Sequence, residues 1–73
     1  MKINDTRRRI LQVVYREMRA HPNGFGLPLA DLSGHVPDDY DFDLNYLFAR
    51  GLLVRCGGNL KLTPDGIDII EEE

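Results

Sequence analysis

His21, His35 and Cys56 are the soft and imidazole groups of this chain, and none stands at a Cys-x-x-Cys or His-x-x-x-His spacing. A side-chain zinc site needs three or four such ligands converging, so no metal site is expected. His21 falls in a Pro/Gly turn and His35 between two helical segments, where capping or solvent contact is the ordinary role. Cys56 adjoins a Gly-Gly pair, and beyond Arg55 no neighbour would activate its thiol as a nucleophile. The acidic run 38–43 lacks the glycine and terminal glutamate of a calcium loop. Gly24-Phe25-Gly26 lacks the lysine, serine and further glycines of a phosphate-cradling loop. No catalytic constellation and no cofactor site is expected, and the chain reads as a non-enzyme.

What remains is charge and aromatic surface. Nine Lys and Arg against twelve Asp and Glu give a formal net charge of −3. Nucleic-acid-binding domains usually carry a basic excess that displaces counterions from phosphates, so the bulk balance leans against that class. The distribution is uneven. Arg8, Arg9, Arg16 and Arg19 cluster early in the chain, whereas Asp38, Asp39, Asp41 and Asp43 surround Phe42 and precede Tyr46.

The elements that must position these groups follow from periodicity and punctuation. Asn4, Asp5 and Thr6 offer N-cap oxygens before a stretch free of Gly and Pro that runs to Ala20, the first helix. Ile10, Leu11, Val14 and Met18 form its core stripe with Tyr15 at the edge, and Arg8, Arg9, Gln12, Arg16 and Arg19 gather on the other side. His21-Pro22-Asn23-Gly24 stops the helix, and Phe25-Gly26-Leu27 forms an extended bridge. Pro28 suits the first position of a short second helix with Leu29 and Leu32 inward, ended at Gly34. Pro37 repeats the device for a third helix ending at Gly51, with Asp38 and Asp39 complementing its dipole. Tyr40, Leu44, Leu47 and Phe48 would face the core, leaving Asp39, Phe42, Asp43 and Tyr46 outward. If that helix starts later or bends, Phe42 is buried instead.

Leu52 to Cys56 and Leu60 to Leu62 flank Gly57-Gly58, which predicts a tight β-hairpin. Thr63 and Pro64 open a last helix carrying Ile67, Ile69 and Ile70, followed by the acidic tail Glu71-Glu72-Glu73. With 73 residues, short connections and no internal repeat, residues 1–73 read as one domain with a single core. A lone cysteine and a charged start without a signal peptide's apolar core make the cytoplasm the expected compartment. No apolar run approaches the roughly 20 residues needed to span a bilayer, so no membrane partner is expected.

The order helix, helix, helix, hairpin, helix resembles the winged-helix superfamily. Asp43-Leu44-Asn45-Tyr46-Leu47-Phe48-Ala49-Arg50-Gly51-Leu52-Leu53 looks like the ending of its recognition helix, and Leu60-Lys61-Leu62-Thr63-Pro64-Asp65-Gly66-Ile67-Asp68 is similar to the strand and capped helix after the wing. The resemblance implies an α+β, mostly helical fold: a three-helix bundle with a helix-turn-helix, a short hairpin wing and a C-terminal helix. In DNA-binding members the third helix enters the major groove with Arg, Lys, Ser, Thr, Asn or Gln outward. Here those positions read Asp38, Asp39, Asp41, Phe42, Asp43, Asn45 and Tyr46, with no lysine or arginine among them until Arg50. The leading expectation is therefore a regulatory module that binds a protein partner or a second copy through Asp39, Phe42, Asp43 and Tyr46. The alternative is a transcription regulator contacting DNA through Arg8, Arg9, Arg16, Arg19, Asn45, Arg55 and Lys61.

Overall fold

The computed structural model describes residues 3–37 and 39–72. Asp38, expected at the start of the third helix, and Glu73 of the acidic tail lie outside the described residues. The fold is α+β and mostly helical: α1 (Asp5–Ala20), β1 (Leu27–Pro28), α2 (Leu29–Leu32), α3 (Asp41–Ala49), β2 (Leu53–Cys56), β3 (Asn59–Leu62) and α4 (Pro64–Glu71). The strands form an antiparallel sheet in the order β1-β3-β2.

Local chemistry sets most boundaries. Asn4 is the N-cap of α1, its side chain accepting from the Arg7 amide at 2.8 Å. α3 ends in a Schellman arrangement: Gly51 at φ 72° lets its own amide reach the Phe48 carbonyl and the Leu52 amide reach that of Leu47. Leu47 and Leu52 are both buried, so this turn also closes an apolar contact. At the hairpin, Gly57 has positive φ and Gly58 does not, the pattern of a turn needing glycine at its first central position.

Two boundaries differ from the sequence expectation. Pro28 belongs to β1 rather than to a helix: Leu27 pairs with Leu60 and Pro28 with Asn59. A proline without an amide hydrogen is tolerated there because β1 is an edge strand. The third helix begins at Asp41, four residues after Pro37; Val36, ahead of the proline, is buried in the core, and Tyr40, just before the helix, packs against that core. The Tyr40 carbonyl then accepts from the Leu44 amide at 2.9 Å, opening the helix without a side-chain cap.

The core is one cluster built by every layer: Ile10, Leu11, Val13 and Val14 of α1, Leu27, Leu32, Val36, Leu44, Leu47, and Leu52, Leu53, Leu60 and Leu62 of the hairpin. Leu60 and Leu62 point inward, as alternation along β3 requires. Beyond the end of β1, the Leu62 amide donates to Met18 Sδ at 3.2 Å, so α1 satisfies the donor that the short strand leaves over. The half-buried Ile67, Ile69 and Ile70 pack α4 on this cluster.

Thr63 links two layers through one hydroxyl. It donates to the Gly51 carbonyl at 2.6 Å and accepts from the Gly66 amide at 3.1 Å, capping α4 while tying it to the end of α3. Thr63→Ala is expected to cost about 1–2 kcal/mol in thermal denaturation, and Thr63→Ser to recover most of it. Equal stability of the alanine and serine variants would contradict the dual role.

Candidate functional site

The surface of α3 is set by what α1 takes from it. Leu44 and Leu47 enter the core, and the remaining positions were expected to present Asp39, Phe42, Asp43 and Tyr46 together. The structure keeps half of that set. Asp39 and Asp41 are exposed, and Phe42 is 75% exposed, which excludes the buried reading of this ring. Asn45 is exposed one helical turn further on.

Asp43 and Tyr46 turn inward instead. Arg7 Nε donates to Asp43 Oδ1 at 2.8 Å, with both side chains only 15% exposed, and Asn4 Nδ2 donates to the same oxygen at 3.1 Å. The Arg7 guanidinium carbon also lies 3.7 Å from the centre of the half-buried Tyr46 ring. Positions 43 and 46 are one helical turn apart, so a single guanidinium grips both. Arg7 was missing from the sequence-derived set, although a signal existed. It stands four residues before Leu11 and seven before Val14, on the apolar stripe, and a cation there needs a partner.

The exposed side chains at the start of α3 are thus Asp41, Phe42 and Asn45, with Asp39 two residues ahead of the helix, while Asp43 and Tyr46 are held by Arg7. No cation from α1 reaches Asp39 or Asp41 among the ion pairs formed by the described residues.

The basic candidates are dispersed. Arg8 Nη1 pairs with Asp5 at 3.2 Å. Arg9 is exposed, with Nε directed at the His35 carbonyl at 3.4 Å. Arg19 Nη1 donates to the Tyr15 hydroxyl at 3.1 Å, and that hydroxyl donates to Glu71 at 2.6 Å. The Tyr15 hydrogen bond and charge, with Glu71 behind, hold the Arg19 guanidinium above its usual pKa. Arg16 and Arg55 are exposed on α1 and β2, and Lys61 is half-buried with its Cγ close to Gly26. The arginines of α1 therefore serve several sides of the molecule: Arg7 faces α3, Arg9 the segment before α3, and Arg19 faces α4.

A second feature lies between α1 and β1. Val13, Arg16, Glu17, Ala20, Leu27 and His35 line an open depression of about 390 Å³. Its walls are largely apolar, Arg16 stands at its rim, and Glu17 Oε2 lies 3.7 Å from His21 Nε2. Sequence reasoning missed this groove, because Val13 and Ala20 meet Leu27 and His35 only through tertiary packing. Phe25, 84% exposed, sits two residues ahead of Leu27 in the loop leading to β1.

Among the described residues, no group of three or more His, Cys, Asp or Glu could hold a metal ion, and Cys56 is an exposed free thiol. No helix of the described residues is long and apolar enough to cross a membrane. No protein-family model, curated protein or solved structure matches the chain.

Proposed function

We propose that this chain is a non-catalytic regulatory module of winged-helix form that binds a protein through the exposed face of α3. In this reading α2 and α3 make the helix-turn-helix, β2 and β3 the wing, and residues 1–73 one domain of cytoplasmic location. The observation that carries the reading is Phe42: a ring 75% exposed between Asp41 and the locked Asp43, with Asp39 nearby. An aromatic anchor ringed by polar groups suits a protein interface, where such residues supply most of the binding energy. Nucleic acid fits the same face poorly, since the exposed Asp39 and Asp41 carboxylates would approach phosphates of like charge. The interface set narrows to Asp39, Asp41, Phe42 and Asn45, while Asp43 and Tyr46 act beneath it by fixing the helix.

A fluorescence-anisotropy titration with a random DNA duplex separates this reading from a DNA-binding regulator. No binding below about 100 μM duplex is expected at about 50 mM salt, outside the range of non-specific DNA binders. Binding that weakens steeply with salt, and falls further in Arg16→Ala and Arg55→Ala chains, would overturn the protein reading.

A further inference from the structure

The surface carries two unlike features that fit each other. One is a knob: the exposed Phe42 ring, preceded in the chain by the exposed Asp39 and Asp41. The other is the groove between α1 and β1, lined by Val13, Ala20 and Leu27 together with Arg16, His35 and Glu17, whose carboxylate lies 3.7 Å from His21 Nε2. Arg9, exposed and directed at the His35 carbonyl, adds a second cation on that side. Phe42 does not occupy the groove of its own chain, because its ring is 75% exposed.

We propose that the occupant of this groove is Phe42 of a second copy, with Asp39 and Asp41 of that copy meeting Arg16 and Arg9. This deepens the protein-binding reading above and rests on it. Charge complementarity selects the second copy and disfavours one mode of pairing. A two-fold contact of knob against knob would bring Asp39 and Asp41 against their own duplicates, and like charges across an interface are strongly disfavoured. Knob into groove places acid beside base. Each copy then offers one knob and one groove, so the contact closes as a reciprocal two-fold dimer or runs head to tail into a larger assembly.

The size of the molecule limits the strength. A standard interface takes about 800 Å² from each partner, roughly a sixth of the 4653 Å² that this chain presents. A single ring in an open groove takes less, which puts the contact in the class of weak, transient interfaces. Salt weakens it by screening the rim charges.

Sedimentation of the whole chain from about 10 μM to about 1 mM at low salt tests the proposal. The wild-type average mass rises with concentration, and Phe42→Ala and Ala20→Glu each weaken association at least tenfold while retaining the wild-type circular dichroism. Both positions are exposed, so neither substitution disturbs the core. Phe25→Ala, which removes the other exposed phenylalanine ring, leaves association unchanged. The decisive arm is an equimolar mixture of the Phe42→Ala and Ala20→Glu chains. One retains a groove and the other a knob, so the mixture regains association and stops at the dimer. A monomeric wild type at about 1 mM overturns the second copy as occupant, yet leaves Phe42 open to a different protein. Association lost in Phe42→Ala but kept in Ala20→Glu removes the groove and spares the patch. Association lost in Phe25→Ala alone shows that the wrong ring was assigned. Salt-dependent duplex binding through Arg16 and Arg55 brings down the underlying reading itself.

Discussion

Asp43→Ala is expected to destabilise the domain by about 2–3 kcal/mol, lowering the thermal midpoint by about 10–20 °C for a chain of this size. An ion pair at an open surface would contribute only about 0–1 kcal/mol. This one differs in burial and in connectivity. Both side chains are 15% exposed, and Asp43 Oδ1 accepts from Arg7 Nε and from Asn4 Nδ2. Removing the carboxylate leaves a shielded guanidinium whose best acceptor has gone, and a charged group left in that state is costly. Arg7→Ala loses the same bond and the stack on Tyr46 as well, so its cost is expected to be similar or larger. The double variant should cost less than the sum of the two single changes by at least about 1 kcal/mol. Additivity within about 0.5 kcal/mol would mean that the contact does not form, and Asp43 would rejoin the outward acids of α3.

Gly26→Ala is expected to cost about 2–4 kcal/mol, read as a lower urea midpoint with an unchanged slope. Gly26 has φ 98°, a backbone region in which a side chain is strained. Space is also lacking: a Cβ there would run into the Leu60 carbonyl oxygen and come within 2.8 Å of Lys61 Cγ. Leu60 belongs to the central strand, so the collision cannot be relieved without unseating β1 from β3. Gly58→Ala is the control, because its backbone lacks positive φ and a Cβ would meet nothing within 4 Å. A Gly26→Ala chain within about 0.5 kcal/mol of wild type would contradict the described seating of β1.

Where a boundary depends on adjacent residues, the sequence announced it. Asn4 caps α1, Thr63 and Pro64 open α4, Gly51 closes α3 and Gly57 turns the hairpin, each through a local bond or dihedral that its residue type supplies. β1 escaped notice because two residues carry no periodicity, and its existence depends on β3 and on the absence of a Cβ at Gly26. The outward set on α3 was half right for a similar reason. Periodicity within α3 places Asp43 and Tyr46 away from Leu44 and Leu47, but it is blind to α1 passing beside them. Arg7 turned a face that α3 alone would present to solvent into an internal contact. The groove at Val13, Ala20 and Leu27 was invisible for want of any local pattern linking its three segments.

Phe42 is proposed to meet protein. Photoreactive benzoylphenylalanine in place of Phe42, introduced into the chain in cells and irradiated, tests it most directly, with the exposed Asp68 position on α4 as the control. Discrete protein adducts are expected from position 42, the chain itself among them, and none from position 68. Adducts to nucleic acid from position 42, or a yield there no higher than at position 68, would contradict that contact.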